Sequence, residues 1–152
     1  MNTTQATRTG KTLMIVEDEA LVAITLRDEL TDAGYHVLDL TERHTEALEA
    51  AKACKPDLAL VNIRLAGRDD GIELAERLKE LGIPVLLISG QVSRARSAQT
   101  VAIASFPKPY DAADMVIAVV YLLALMQGDA SLPKPDGLEV FHHAGFNLTP
   151  VA

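Results

Sequence analysis

Residues 57–67 read DLALVNIRLAG. From Leu58 to Ile63 every position but Asn62 is apolar, with no alternation of polar and apolar residues. That is the pattern of a strand covered on both faces. The Arg-Leu-Ala-Gly that follows reads as a loop. Two more runs share the pattern: TLMIVE (12–17), which ends in an acid, and PVLLIS (84–89). Shorter strands are expected at YHVLDL (35–40) and AIASF (102–106).

Helical spacing fills the intervals. Val22, Leu26, Leu30 and Ala33 align one face of a helix over 19–33, and Gly34 should stop it as a left-handed cap. A second helix over 43–53 ends before Pro56. Asp70 with Glu73 has the form of a capping box for a third helix, 70–81. Residues 93–101 predict a weak helix with few apolar anchors. Asp111 is expected to cap a last helix that reaches about Met126. Five strand–helix alternations predict an α/β fold, a doubly wound sheet of five parallel strands with helices on both faces. The expected organisation is a flexible N-terminus (1–10), one domain (11–127) and a C-terminal tail (128–152) broken by Pro133, Pro135 and Pro150.

Composition narrows the function classes. The 152 residues suit one domain, and 49% hydrophobic content suffices for a core, which must be aliphatic because Trp is absent. A formal charge of −7 disfavours nucleic-acid binding, and Arg94 with Arg96 is too small a basic cluster to reverse that. The single Cys54 excludes an internal disulfide and fits a reducing compartment; near the end of a helical pattern it is expected to be packed. The N-terminus carries no apolar stretch resembling a signal peptide. The apolar run 112–126 carries Asp114 and falls short of the roughly 20 residues that cross a bilayer. The expectation is a cytoplasmic protein with no membrane insertion.

In a parallel α/β sheet, ligand chemistry gathers at the carboxyl ends of the strands. Glu17 and Asp18 follow the first strand, Asn62 ends the third, Ser89 ends the fourth and Lys108 follows the fifth. Two adjacent carboxylates suit a hard divalent cation such as Mg²⁺. A hydroxyl and an ammonium suit the oxygens of a phosphoryl group.

With this spacing, MIVEDEALVA, KPDLALVNIRL, DGIELAERLK, LLISG and FPKPYD together resemble the receiver domain of two-component response regulators over roughly residues 12–126. The resemblance implies the flavodoxin-like (βα)5 fold with strand order 2-1-3-4-5. It implies that Glu17 and Asp18 hold Mg²⁺, with Asn62 and the backbone carbonyl of Arg64 completing the ligand set. It implies that Ser89 binds a phosphoryl oxygen, and that Lys108 pairs with the acceptor and its phosphoryl group. Asn62 stands at the phosphoacceptor position, where the family has Asp. A carboxylate attacks phosphorus to give an acyl phosphate; a neutral amide is a poor nucleophile and also weakens the hold on Mg²⁺. Its oxygen can still accept from Lys108 or face the metal. Two explanations are open: a natural pseudo-receiver that works without phosphorylation, or an Asp-to-Asn variant of an active receiver. The presence of the acids, the hydroxyl and the Lys favours the second.

A second departure is Ser105, with Phe106 beside it, where receivers carry the aromatic of a hydroxyl–aromatic switch. LISGQ is partly similar to the receiver subgroup nicknamed FAT GUY, in which that aromatic is missing. This shifts the expected output to motion of the weak helix 93–101.

Taken singly, these residues have plainer readings. Glu17 and Asp18 could be helix-start acids, Ser89 a turn residue and Lys108 a surface charge; their gathering at four strand ends outweighs that. Glu19, Asp69 and Asp70 read as caps or solvated charge, and the four His lack partners at metal spacing. The last helix is apolar nearly all round. Either the tail, through Leu138, Val140, Phe141 and Phe146, folds back over it, or it forms a homodimer or partner interface. The functional expectation is a stand-alone receiver, since the 26 residues after Met126 hold no output domain. It would take phosphoryl from a histidine kinase or histidine phosphotransfer protein when residue 62 is Asp, and as written would act through protein contacts. The alternative is a phosphorylation-independent interaction module. A nucleotide-binding enzyme of flavodoxin-like form is disfavoured, because EDEAL replaces the glycine-rich cradle after the first strand.

Overall fold

The computed structural model describes residues 10–65, 67 and 69–148. Residues 1–9 of the expected flexible N-terminus, and Pro150, lie outside them. In chain order the elements are β1 (Thr12–Val16), α1 (Ala20–Asp32), β2 (His36–Val37), α2 (His44–Ala53), β3 (Leu58–Asn62), α3 (Gly71–Glu80), β4 (Val85–Ser89), α4 (Val92–Arg96), β5 (Ala104–Pro107), α5 (Ala112–Met126) and β6 (Glu139–Val140). The sheet order is β2-β1-β3-β4-β5-β6. The first five strands are parallel and stand in the expected order. A sixth, which the sequence pattern does not announce, runs antiparallel to β5 at the edge.

The unbroken apolar runs end up where they must. β1, β3 and β4 are buried at nearly every position, and the strand period of two sends alternate residues to opposite faces. Leu13, Ile15, Leu60 and Ile88 pack with α1, α5 and the tail on one face. Met14, Val16, Val61 and Leu87 pack with α2, α3 and α4 on the other.

Local stops follow from side-chain chemistry. Gly34, at φ 103°, takes the left-handed position after α1. Asp70 caps α3 through the Ile72 amide at 2.8 Å, while Asp111 stands at the N-cap of α5 without a side-chain bond. Asp69 caps a different helix, accepting from the His44 amide at the start of α2, at 2.8 Å. β2 is shorter than expected because it lies at an edge with a single partner strand. α4 is also shorter, and gives way to turns through Val101. Its Ser97 hydroxyl donates back to the Arg94 carbonyl at 2.6 Å, and Lys79 draws off the Thr100 carbonyl at 2.8 Å, so the helix does not propagate. Cys54 is exposed, not packed: α2 ends at Ala53, and the extended backbone of Cys54 turns its thiol out of the buried Ala47–Ala51 row.

The tail does fold back. Leu138, Ala144 and Leu148 are buried in the same cluster as Leu122, Leu123 and Leu125 of α5, with Val140 and Phe146 packed against it. Phe141 goes to the opposite face of the sheet. The apolar surplus of α5 is thereby largely covered by the chain itself, and Ile117 stays half exposed.

Candidate functional site

Strand register gathers the site. Val16 pairs with Val61, Asn62 with Ile88 and Ser89 with Pro107, so β1, β3, β4 and β5 end level. Glu17, Asp18, Asn62, Ser89 and Lys108 therefore come to one end of the sheet. All but Glu17 line a single cleft of about 470 Å³ together with Arg64 and Arg94, and Glu17 is buried directly beneath it. Lys108 is held there by its backbone amide, which donates to the Ser89 carbonyl at 2.9 Å; its peptide bond to Pro109 is cis.

Asn62 is buried, and its amide nitrogen faces the acids. It donates to Glu17 Oε2 at 2.9 Å and to Asp18 Oδ1 at 3.3 Å. That orientation follows from chemistry, since ionised carboxylates only accept and the amide nitrogen only donates. The N–H groups of Asn62 thus span the two acids. Glu17 Oε2 also accepts from the Glu19 amide at 3.2 Å, while Glu17 Oε1 is buried with no hydrogen bond and lies 3.5 Å from Lys108 Nζ.

Burial pushes the Glu17 carboxyl above its ordinary 4.5, and the neighbouring Asp18 carboxyl adds to the rise; the Glu19 amide and Lys108 act against it. Beside it the Tyr110 hydroxyl is pushed up to about 12, by burial first and then by Glu17 and Glu19, and it makes no hydrogen bond among the described residues. Ser89 Oγ is turned into its own loop: it accepts from the Gln91 amide at 2.8 Å and donates to the Gln91 carbonyl at 3.1 Å. Among the described residues no group of three His, Cys, Asp or Glu could hold a metal ion.

One residue that the motif reading passed over shapes the site. The Gly71 amide donates to the Ile63 carbonyl at 2.7 Å, and a Cβ on Gly71 would run into the carbonyl of Asn62. Only glycine lets α3 begin this close to the end of β3. The Asp-Gly pair at 70–71, between a strand-end loop and a helix, was the available signal.

A family model described as the response regulator receiver domain matches residues 13–120. The transcriptional regulatory protein PdtaR of Mycobacterium tuberculosis is 32% identical over 113 residues, covering 70% of this chain and 54% of its own length. The chain spans little more than half the length of that relative. The signal receiver domain of a modulated diguanylate cyclase from Desulfovibrio desulfuricans G20 is 36% identical, with TM-score 0.65 over 72% of this chain and 90% of that one. The receiver domain of NtrX from Brucella abortus is 30% identical, with TM-score 0.65 over 71% and 93%.

Proposed function

The chain belongs to the response regulator receiver domain family, and from that premise we propose that it is a two-component receiver whose phosphoacceptor position is blocked. It engages a histidine kinase or histidine phosphotransfer protein, and takes a phosphoryl group only when residue 62 is Asp. The observation that carries this is the position of Asn62: it sits at the end of β3 within hydrogen-bonding distance of Glu17 and Asp18, in the cleft shared by Ser89 and Lys108.

In an Asn62→Asp chain, a carboxylate oxygen at that position would attack the phosphorus of a phosphohistidine. The P–N bond breaks, imidazole leaves, and an acyl phosphate forms. Lys108 and the Ser89 hydroxyl would take the phosphoryl oxygens. The Asn62 amide lone pair is delocalised and does not attack. Receiver domains generally bind Mg²⁺ at the acidic pocket. Here the cation would be held by Glu17, Asp18, the amide oxygen of Asn62 and the Arg64 carbonyl. The buried, unbonded Glu17 Oε1 suits that ligand set. To present its oxygen, Asn62 must give up both bonds to the acids, so Mg²⁺ binding is weak in this form.

A partner face adjoins the cleft. An apolar groove of about 600 Å³, lined by Leu21, Val22, Thr25, Pro109 and Tyr110, shares Glu19 and Lys108 with the pocket. Leu21 is 82% exposed on its rim. A helix carrying the donor histidine would cover this groove and bring its imidazole to residue 62. Nucleic acid is not a partner in this reading, because Arg94 and Arg96 are engaged by Asp70 and Glu139. No helix among the described residues is long and apolar enough to cross a membrane.

A second reading, an interaction module that never uses phosphate, is favoured by one observation: the Asn62 amide links Glu17 and Asp18 without a cation. Intact mass after incubation with Mg²⁺ and a small acyl phosphate separates the two. On the first reading Asn62→Asp gains a labile phosphoryl group and the Asn62 chain gains none. If neither form is labelled, the second reading holds.

A further inference from the structure

The tail is joined to the site by a chain of contacts that receiver chemistry alone does not call for. The Ser89 hydroxyl holds both polar atoms of the Gln91 backbone, and Gln91 is the N-cap of α4. α4 is a single short turn of helix with only Ala95 buried, held besides by the Arg94–Asp70 pair at 2.7 Å. From it Arg96 reaches the tail, where its Nε lies 2.8 and 2.9 Å from the two carboxylate oxygens of Glu139. Glu139 stands in β6 opposite Ser105 of β5, in a ladder of two residue pairs. Between β5, α4 and the tail a cavity of about 240 Å³ remains, bordered by Ser89, Ala95, Ser105, Phe106 and Glu139. α4 therefore has room to move toward β5, and a movement that carried Arg96 away would remove the only ion pair that ties β6 to the rest of the described chain.

We propose that residues 138–141 form a strap on the edge of β5, latched by the Arg96–Glu139 pair and released when the Ser89–Gln91 turn opens. The tail is then the element that reports the state of the pocket. A ligand that draws the Ser89 hydroxyl into the cleft takes it from Gln91, frees α4 and loosens the latch. Because the coupling is between two equilibria, it runs both ways: loosening the strap must also loosen the turn. The inference does not depend on whether residue 62 can be phosphorylated.

Amide hydrogen exchange on the full chain tests it without any phosphoryl donor. Glu139→Gln keeps the shape of the tail and removes the latch charge. Exchange at Phe141, whose amide donates to the Ile103 carbonyl at 2.7 Å, should quicken by roughly threefold, the scale of one exposed ion pair. Exchange at Gln91 should quicken with it. Raising salt to about 0.5 M should quicken Phe141 in the parent chain and leave Glu139→Gln unchanged, since such pairs are screened. Ser89→Ala should loosen Phe141 from the far end, and Ser89→Thr, which restores the hydroxyl, should not. The charge swap Arg96→Glu with Glu139→Arg should return parent rates, and if Ser89→Ala fails to fold, a Gln91 rate indifferent to Glu139→Gln would overturn the coupling. An effect of Ser89→Ala confined to residues 90–96 would overturn the coupling. A Phe141 rate indifferent to Glu139→Gln would overturn the latch.

Discussion

Asn62 differs from aspartate by a single NH₂ group, yet that group reverses the local electrostatics. With Asp, three carboxylates would face one another around Lys108; with Asn, two carboxylates share the two N–H groups of one amide. On the function proposed above, the amide does part of a cation's work. Asn62→Asp in the absence of metal should therefore cost about 1–3 kcal/mol, since buried acceptors lose their donor and gain a like charge. Millimolar Mg²⁺ should restore much of that loss. The Asn62 chain should barely respond to the metal. Urea unfolding of both proteins in EDTA and in Mg²⁺ measures this, and equal Mg²⁺ stabilisation of the two would show that the amide does not stand in for the ion. The strand-end positions of these residues were readable in the sequence, because apolar runs of equal length place their last residues level. The direction of the amide was not: an oxygen free to face Lys108 or a metal gave way to a nitrogen facing two acids, and only the assembled pocket decides that.

At the scale of elements, the junction from β3 to α3 sets the geometry of the site. Gly71 lets the first turn of α3 press against the backbone of Asn62, and Asp70 caps the same turn while pairing with Arg94 at 2.7 Å. Gly71→Ala should push α3 off the end of β3, cost about 1–3 kcal/mol as overpacking does, and lower phosphoryl uptake in the Asn62→Asp background. Full stability and full uptake in that variant would mean that the close approach is not needed. Elements with their own pattern, such as β1, β3, β4 and α5, were legible because burial on both faces or a dense apolar stripe is written into consecutive residues. β2 and α4 were read in the right places but too long, and β6 was not read at all. Two-residue edge strands owe their existence to a neighbouring strand, and α4 is cut short by Ser97 and Lys79 bonds that no periodicity records. Gly71 escaped notice for a related reason, since its role lies in a contact with the end of the preceding strand rather than in any local pattern.

Across the whole molecule, the tail makes the receiver core larger than five strands and five helices. Leu138 and Leu148 close the face that carries α1 and α5, while Phe141 closes the other, so one short segment seals both layers at the β5 edge. A helix as apolar as α5 needs such a cover; left bare, it would offer a surface for self-association. Leu138→Ala and Phe141→Ala should each cost about 2–5 kcal/mol, the range for emptying a buried site. Removing residues 129–152 should do more than sum those losses, because it uncovers Leu122, Leu123 and Leu125 together. The truncated chain should then be less stable in urea and should dimerise or aggregate in sedimentation, while the full chain stays monomeric through the same concentrations. A truncated chain that remained monomeric with unchanged unfolding would place the tail outside the core. A full chain that dimerised as readily would move the dimer contact to the apolar surface left open, around Ile117 and Leu21. The tail therefore has two separable duties. Its apolar residues complete the fold and hold it, and among the described residues its one charged tie to α4, through Glu139, is the latch proposed for the strap.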